Sequence, residues 1–137
     1  MTLKRLFVLN AVIAAGYGLA LLVATDPILD LYGITPNPEG VYMARWFGLE
    51  LLAIGLTTWL ARDVAESAGG RAVAQALTVT YGLGVVLALW GTLSGPFNAL
   101  GWIAVGLNFL LGSGFAYTQF IKPRSVAAGE LRPHSQA

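Results

Sequence analysis

Glu50 has the clearest capacity for chemistry in this sequence: it is a carboxylate within the apolar stretch Met43–Ala61, with Arg45 shortly before it. A carboxyl removed from water can serve as a general acid or base, carry a proton or anchor a ligand, and an ionisable group inside an apolar span points to function. At about 1.5 Å of helix per residue, Tyr17, Glu50, Tyr81 and Asn108 fall in one layer, about 10–18 Å from one end of their segments. That layer, with Arg45 at its mouth, reads as a candidate ligand-binding site. Arg45 and Glu50 lie about 140° apart around a helix, so they do not form the three- or four-spaced pair that helices favour. The expectation is that Glu50 faces the other helices and bonds Asn108 or a tyrosine hydroxyl. On the plainer alternative, the same bonds only hold the helices together.

The rest of the chemical inventory is short. There is no cysteine, and the only histidine is His134, in a polar tail. Disulfides, thiolate nucleophiles, iron–sulfur clusters and histidine-held haem or metal are thereby excluded. No catalytic residue, metal or cofactor is assigned, and the expectation is that the chain is not an enzyme. A lone carboxyl is thin material for an acid–base isomerase or hydratase. The formal charge of +1 speaks against a nucleic-acid partner.

Positioning these groups falls to helices in a lipid bilayer. The chain is 56% hydrophobic and 11% charged over 137 residues, with a mean hydropathy of +0.68. No charged residue stands between Arg71 and Lys122, a run that a soluble domain of this size has too little interior to hide. Hydrocarbon about 30 Å thick calls for about 20 apolar residues in helix. Four segments meet that length: about 6–24, 43–61, 72–93 and 99–121, the last two divided by the turn-forming Gly91–Asn98. The first is longer than a signal-peptide core of about 7–15 residues and is followed by no small-x-small cleavage site, so it reads as a retained span. The predicted fold is all-α: a polytopic four-transmembrane-helix bundle over 1–121, with a disordered tail at 122–137.

Orientation follows from the basic residues. Lys4, Arg5, Arg62, Arg71, Lys122, Arg124 and Arg132 fall on one side, while the 25–42 loop carries Asp26, Asp30 and Glu39 and no basic residue. Both termini are therefore expected in the cytoplasm of a cell-membrane protein. Trp46, Trp90 and Trp102 near the outer ends, and Trp59 near the inner one, read as interfacial anchors. Asp26 reads as the N-cap and Pro27 as the first helical position of a short surface helix that Gly33 ends.

Small or polar stripes are expected to face the bundle, since close packing and inter-helical hydrogen bonds drive association in lipid. In the second span that stripe is Trp46, Glu50, Ala53 and Thr57; in the first it includes Asn10, Ala14 and Tyr17. The segment Arg45-Trp46-Phe47-Gly48-Leu49-Glu50-Leu51-Leu52-Ala53-Ile54-Gly55-Leu56, with Asp26-Pro27 and Leu31-Tyr32-Gly33 before it, resembles small four-helix prokaryotic membrane proteins of the domain-of-unknown-function type. The resemblance implies the fold over 6–121 and no activity. The leading expectation is a non-catalytic accessory or assembly subunit, with other membrane-protein subunits or further copies of itself as partners. The alternatives are a binder of a lipophilic small molecule (a quinone, isoprenoid, pigment or lipid) and a proton-coupled small transporter.

Overall fold

The computed structural model describes residues 2–121; the tail expected at 122–137, with Lys122, Arg124, Arg132 and His134, lies outside them. Among the described residues the protein is all helical, without strands. Helix α1 spans Leu3–Val23, α2 Thr25–Leu31, α3 Pro38–Ala61, α4 Ala68–Leu93 and α5 Gly101–Ala116. A 3-10 turn, Arg62–Val64, follows α3, and a π-helical turn, Tyr117–Ile121, continues α5. Two helices, α1 and α4, are long and apolar enough to cross a membrane.

Local chemistry sets the helix starts. The Asn37 side chain accepts the Gly40 N–H at 2.7 Å and Pro38 occupies the first helical position, so α3 begins five residues before the apolar stretch does. Ser67 caps α4 through Gly70 N–H at 3.2 Å. The short α2 begins at Thr25, one residue ahead of Asp26, and Thr25 donates back to the Leu21 carbonyl at 2.6 Å. Gly33, at φ 79°, ends that segment as expected, in a left-handed conformation that costs glycine little.

The helices pack as two pairs. In the first, α1 and α3 meet backbone to backbone. A Cβ on Gly18 would stand 2.6 Å from the Gly48 carbonyl, and one on Gly55 would stand 2.6 Å from the Ala15 nitrogen. Only glycine allows approach that close, and short separation is what brings dispersion contacts along the whole helix length. In the second pair, α4 and α5 are joined by the 94–98 turn, and Gly84 lies directly under the Asn108 carboxamide.

The pairs join at both ends. At one end Leu3, Leu6 and Phe7 of α1 pack with Leu77 and Tyr81 of α4 and with Leu111 and Phe115 of α5. Phe115 stacks on Tyr81 at 6.1 Å and tilts against Phe7 at 6.0 Å. At the other end, Asn98 donates from its side chain to the Leu31 carbonyl and from its backbone to the Tyr32 carbonyl, both at 2.9 Å. The Tyr32 and Phe97 rings meet edge-on at 6.0 Å beside this clamp.

Candidate functional site

Tyr17, Glu50, Tyr81 and Asn108, expected to share one layer, and Arg45, expected at its mouth, make no hydrogen bonds with one another among the described residues. Tyr81 is buried, and its hydroxyl donates to the Asn10 carboxamide oxygen. Asn10 in turn donates to the Thr58 hydroxyl at 3.2 Å, and Thr58 hydrogen-bonds the Ile54 carbonyl at 3.0 Å. Asn10 and Thr58 are fully buried, at 0% exposure. This relay of neutral groups runs from α4 through α1 to α3 and is the polar interior of the molecule. Every buried side-chain polar atom among the described residues has a partner, so the interior holds no unsatisfied donor or acceptor aimed at a ligand.

Glu50 lies elsewhere. It is exposed, on the face of α3 turned away from α1, and no hydrogen bond or ion pair to it exists among the described residues. The stripe expected to face the bundle is the exposed one: Trp46, Glu50, Ala53 and Thr57 are all on the outer surface. The face that packs is Gly48, Gly55 and Thr58. At 100° per residue these faces stand on opposite sides of the helix, and the glycines prevail because they let α1 approach most closely.

Arg45 is exposed, and its Nε donates to the Thr25 hydroxyl at 3.3 Å; among the described residues no ion pair joins it to Asp26, Asp30 or Glu39. Tyr17 is half-buried, with its hydroxyl near that of Tyr32. Asn108 donates to the Ala104 carbonyl of its own helix at 2.8 Å. It borders an open groove of about 250 Å³ between α4 and α5, with Thr78, Gly82, Gly112 and Ser113. Trp46, Trp59, Trp90 and Trp102 are exposed at 48%, 44%, 69% and 52%, on the outer surface. The Arg62 guanidinium lies 4.3 Å over the Trp59 ring.

Thr58 is the member of the interior that sequence reasoning missed. The signal was available in the spacing Gly48, Gly55, Thr58, which holds three small residues to one face. Among the described residues no three His, Cys, Asp or Glu side chains come together as a metal site.

The chain matches no protein-family model, no curated protein and no solved structure.

Proposed function

We propose that this chain is a non-catalytic accessory or assembly subunit of a membrane complex, built from four membrane-crossing helices with both termini in the cytoplasm. The observation that carries the reading is Glu50. It stands twelve residues from Pro38 and eleven from Ala61, at the middle of α3, on a face that none of the described residues covers. Counted from Met43, where the apolar stretch begins, that position is about 10 Å deep in a bilayer, where an acidic side chain is costly, up to about 2.5–3.5 kcal/mol at the helix centre on insertion scales. A partner subunit that supplies hydrogen bonds or charge offsets this cost.

Membrane crossing by all four long helices is supported by length and surface. At about 1.5 Å per residue, α3 and α5 with its π-helical continuation each reach the roughly 30 Å of hydrocarbon, as α1 and α4 do. The outer surface is apolar: Val79, Leu83, Val86, Leu87 and Leu93 of α4 are each more than 60% exposed. An apolar belt of this extent in water would aggregate. The chain lacks native cysteine, so a single cysteine at Thr35 or Gly69 reports sidedness cleanly. The expected result is labelling of Thr35→Cys in intact cells and of Gly69→Cys only after permeabilisation. The resemblance to small four-helix prokaryotic membrane proteins belongs to the same proposal.

Gentle solubilisation and native electrophoresis test the assembly role. The expected outcome is migration with different subunits; migration solely as a free monomer or homo-oligomer sinks it.

A second reading, a binder of a lipophilic small molecule, is favoured by one feature, the Asn108 groove. Its mostly apolar lining with one carboxamide suits a carbonyl- or hydroxyl-bearing isoprenoid or quinone. Organic extraction of the purified protein followed by mass spectrometry tests it, and recovery of bulk phospholipid alone counts against it.

A further inference from the structure

Resting on the accessory-subunit reading, we propose that the outward face of α3 docks a membrane-crossing helix of a different protein, one that carries a single lysine or arginine at the depth of Glu50. On that face Trp46, Ala53 and Thr57 all fall within about 60° of Glu50 at 100° per residue, so a straight neighbour can touch all of them. Ala53 stands one turn from Glu50 and offers only a methyl group, which permits close approach. Thr57 follows one turn later, and its hydroxyl makes no hydrogen bond among the described residues. The surface thus presents an acid, a small contact point and a hydroxyl along about two turns of helix.

Charge complementarity decides the occupant. A carboxylate in hydrocarbon is matched best by a cation, and a lysine or arginine on a facing helix gains the same neutralisation in return. Among its described residues, a second copy of this chain does not supply one. A two-fold axis along the membrane normal sets equivalent residues at equal depth, so Glu50 would meet Glu50. Arg45 is the nearest basic residue of such a copy, but it lies about 7.5 Å away along the helix and about 140° around it. Its Nε is also engaged with Thr25. The other described basic residues stand at the far end of the bundle, where Lys4 and Arg62 pair with Asp63 and Arg71 with Glu66. A phospholipid ammonium matches the site poorly in depth, since Glu50 lies about 10 Å inside the apolar stretch, below the headgroup layer.

The test uses the full chain in its native membrane, with a photo-crosslinking residue at Ala53 or, for comparison, at Leu83 on the exposed face of α4. Adducts are mapped by peptide mass spectrometry, with Glu50 native or changed to Gln. The expected Ala53 adduct joins a different protein within an apolar helix that holds a lysine or arginine. Glu50→Gln should lower its yield by about tenfold or more, as loss of a desolvated charge pair does. Glu50→Lys combined with Glu at the partner's basic position should restore it. The proposal is overturned by an adduct to a second copy, to phospholipid alone or to a helix without a basic residue, and equally by a yield that Glu50→Gln leaves intact. Native electrophoresis of the same membranes separates the two levels of the reading. A complex that survives Glu50→Gln undiminished overturns the charge pair and leaves the accessory role standing, whereas a chain that migrates only free overturns both.

Discussion

Thr57 and Thr58 are adjacent in sequence and identical in chemistry, yet they belong to different regions of the molecule. Thr58 is fully buried, closes the relay from Tyr81 through Asn10, and hydrogen-bonds its own helix backbone. Thr57 is exposed, on the stripe with Glu50. Among the described residues, the interior region is neutral and saturated, while the surface region holds the only carboxylate near the middle of a long helix and gives it no partner. The contrast separates two placements of polarity: neutral side chains join the helix pairs, and the ionisable one is left on the outer surface.

The comparison breaks most decisively at the glycines that set the facing. Gly55→Leu places a side chain against the Ala15 backbone, where a Cβ alone comes within 2.6 Å of the nitrogen. We expect a loss of about 3 kcal/mol or more, or failure to fold, because backbone cannot yield as a side chain does. Thermal unfolding in detergent measures it, and a variant as stable as the native chain would refute the α1–α3 packing.

Asn10→Leu comes next. It strands the Tyr81 hydroxyl and the Thr58 hydroxyl's acceptor side in the interior, at an expected cost of about 1–3 kcal/mol. Its effect should be coupled with that of Tyr81→Phe: once Asn10 is gone, loss of the phenol hydroxyl should cost little more. A double-mutant cycle that finds strict additivity would break the relay apart.

The threonine pair gives the sharpest internal control. Thr58→Val should cost about 0.6 kcal/mol, the average for hydrogen bonds within membrane bundles, and at most about 1.7, and Thr57→Val almost nothing. Equal effects from the two would erase the distinction between the regions.

Glu50 should have a smaller effect still on the isolated chain. From sequence, Glu50→Leu would be expected to cost more than Glu50→Gln, since Asn108 and the tyrosines would lose a partner. In the structure Glu50 hydrogen-bonds none of them, so both changes should leave the melting temperature in detergent nearly unchanged. A large drop with Leu alone would return Glu50 to the interior.

The smallest effect belongs to the exposed Lys4–Asp63 bridge, 2.7 Å long, which ties the start of α1 to the turn after α3. The Lys4 ammonium holds the Asp63 carboxyl below its ordinary value, by hydrogen bonding first and charge second. The folded-state value is lowered, so the bridge stabilises above the ordinary carboxylate range and its contribution disappears as pH falls through the folded-state value. Both partners are open to water, so the difference between native and Lys4→Ala melting curves should be slight at neutral pH and vanish in acid or high salt.

The elements were legible in the sequence and their rotations were not. Apolar segment lengths, Gly33, the 94–98 turn and the prolines of the 25–42 loop mark where helices run and stop, because those signals act through local backbone chemistry. Tyr81 and Asn10 were recognisable as polar groups set within apolar segments. Their pairing with each other, and with Thr58 in place of Glu50, was not. A helix in water reveals its buried face by hydrophobic contrast, but exposed leucines and valines surround these helices as fully as buried ones do. With that contrast gone, depth along a helix is readable from sequence but direction around it is not. Only the tertiary structure decides which face packs, since the choice depends on how closely two backbones approach. At Gly18, Gly48 and Gly55 that approach required the absence of a side chain, and it turned Glu50 outward.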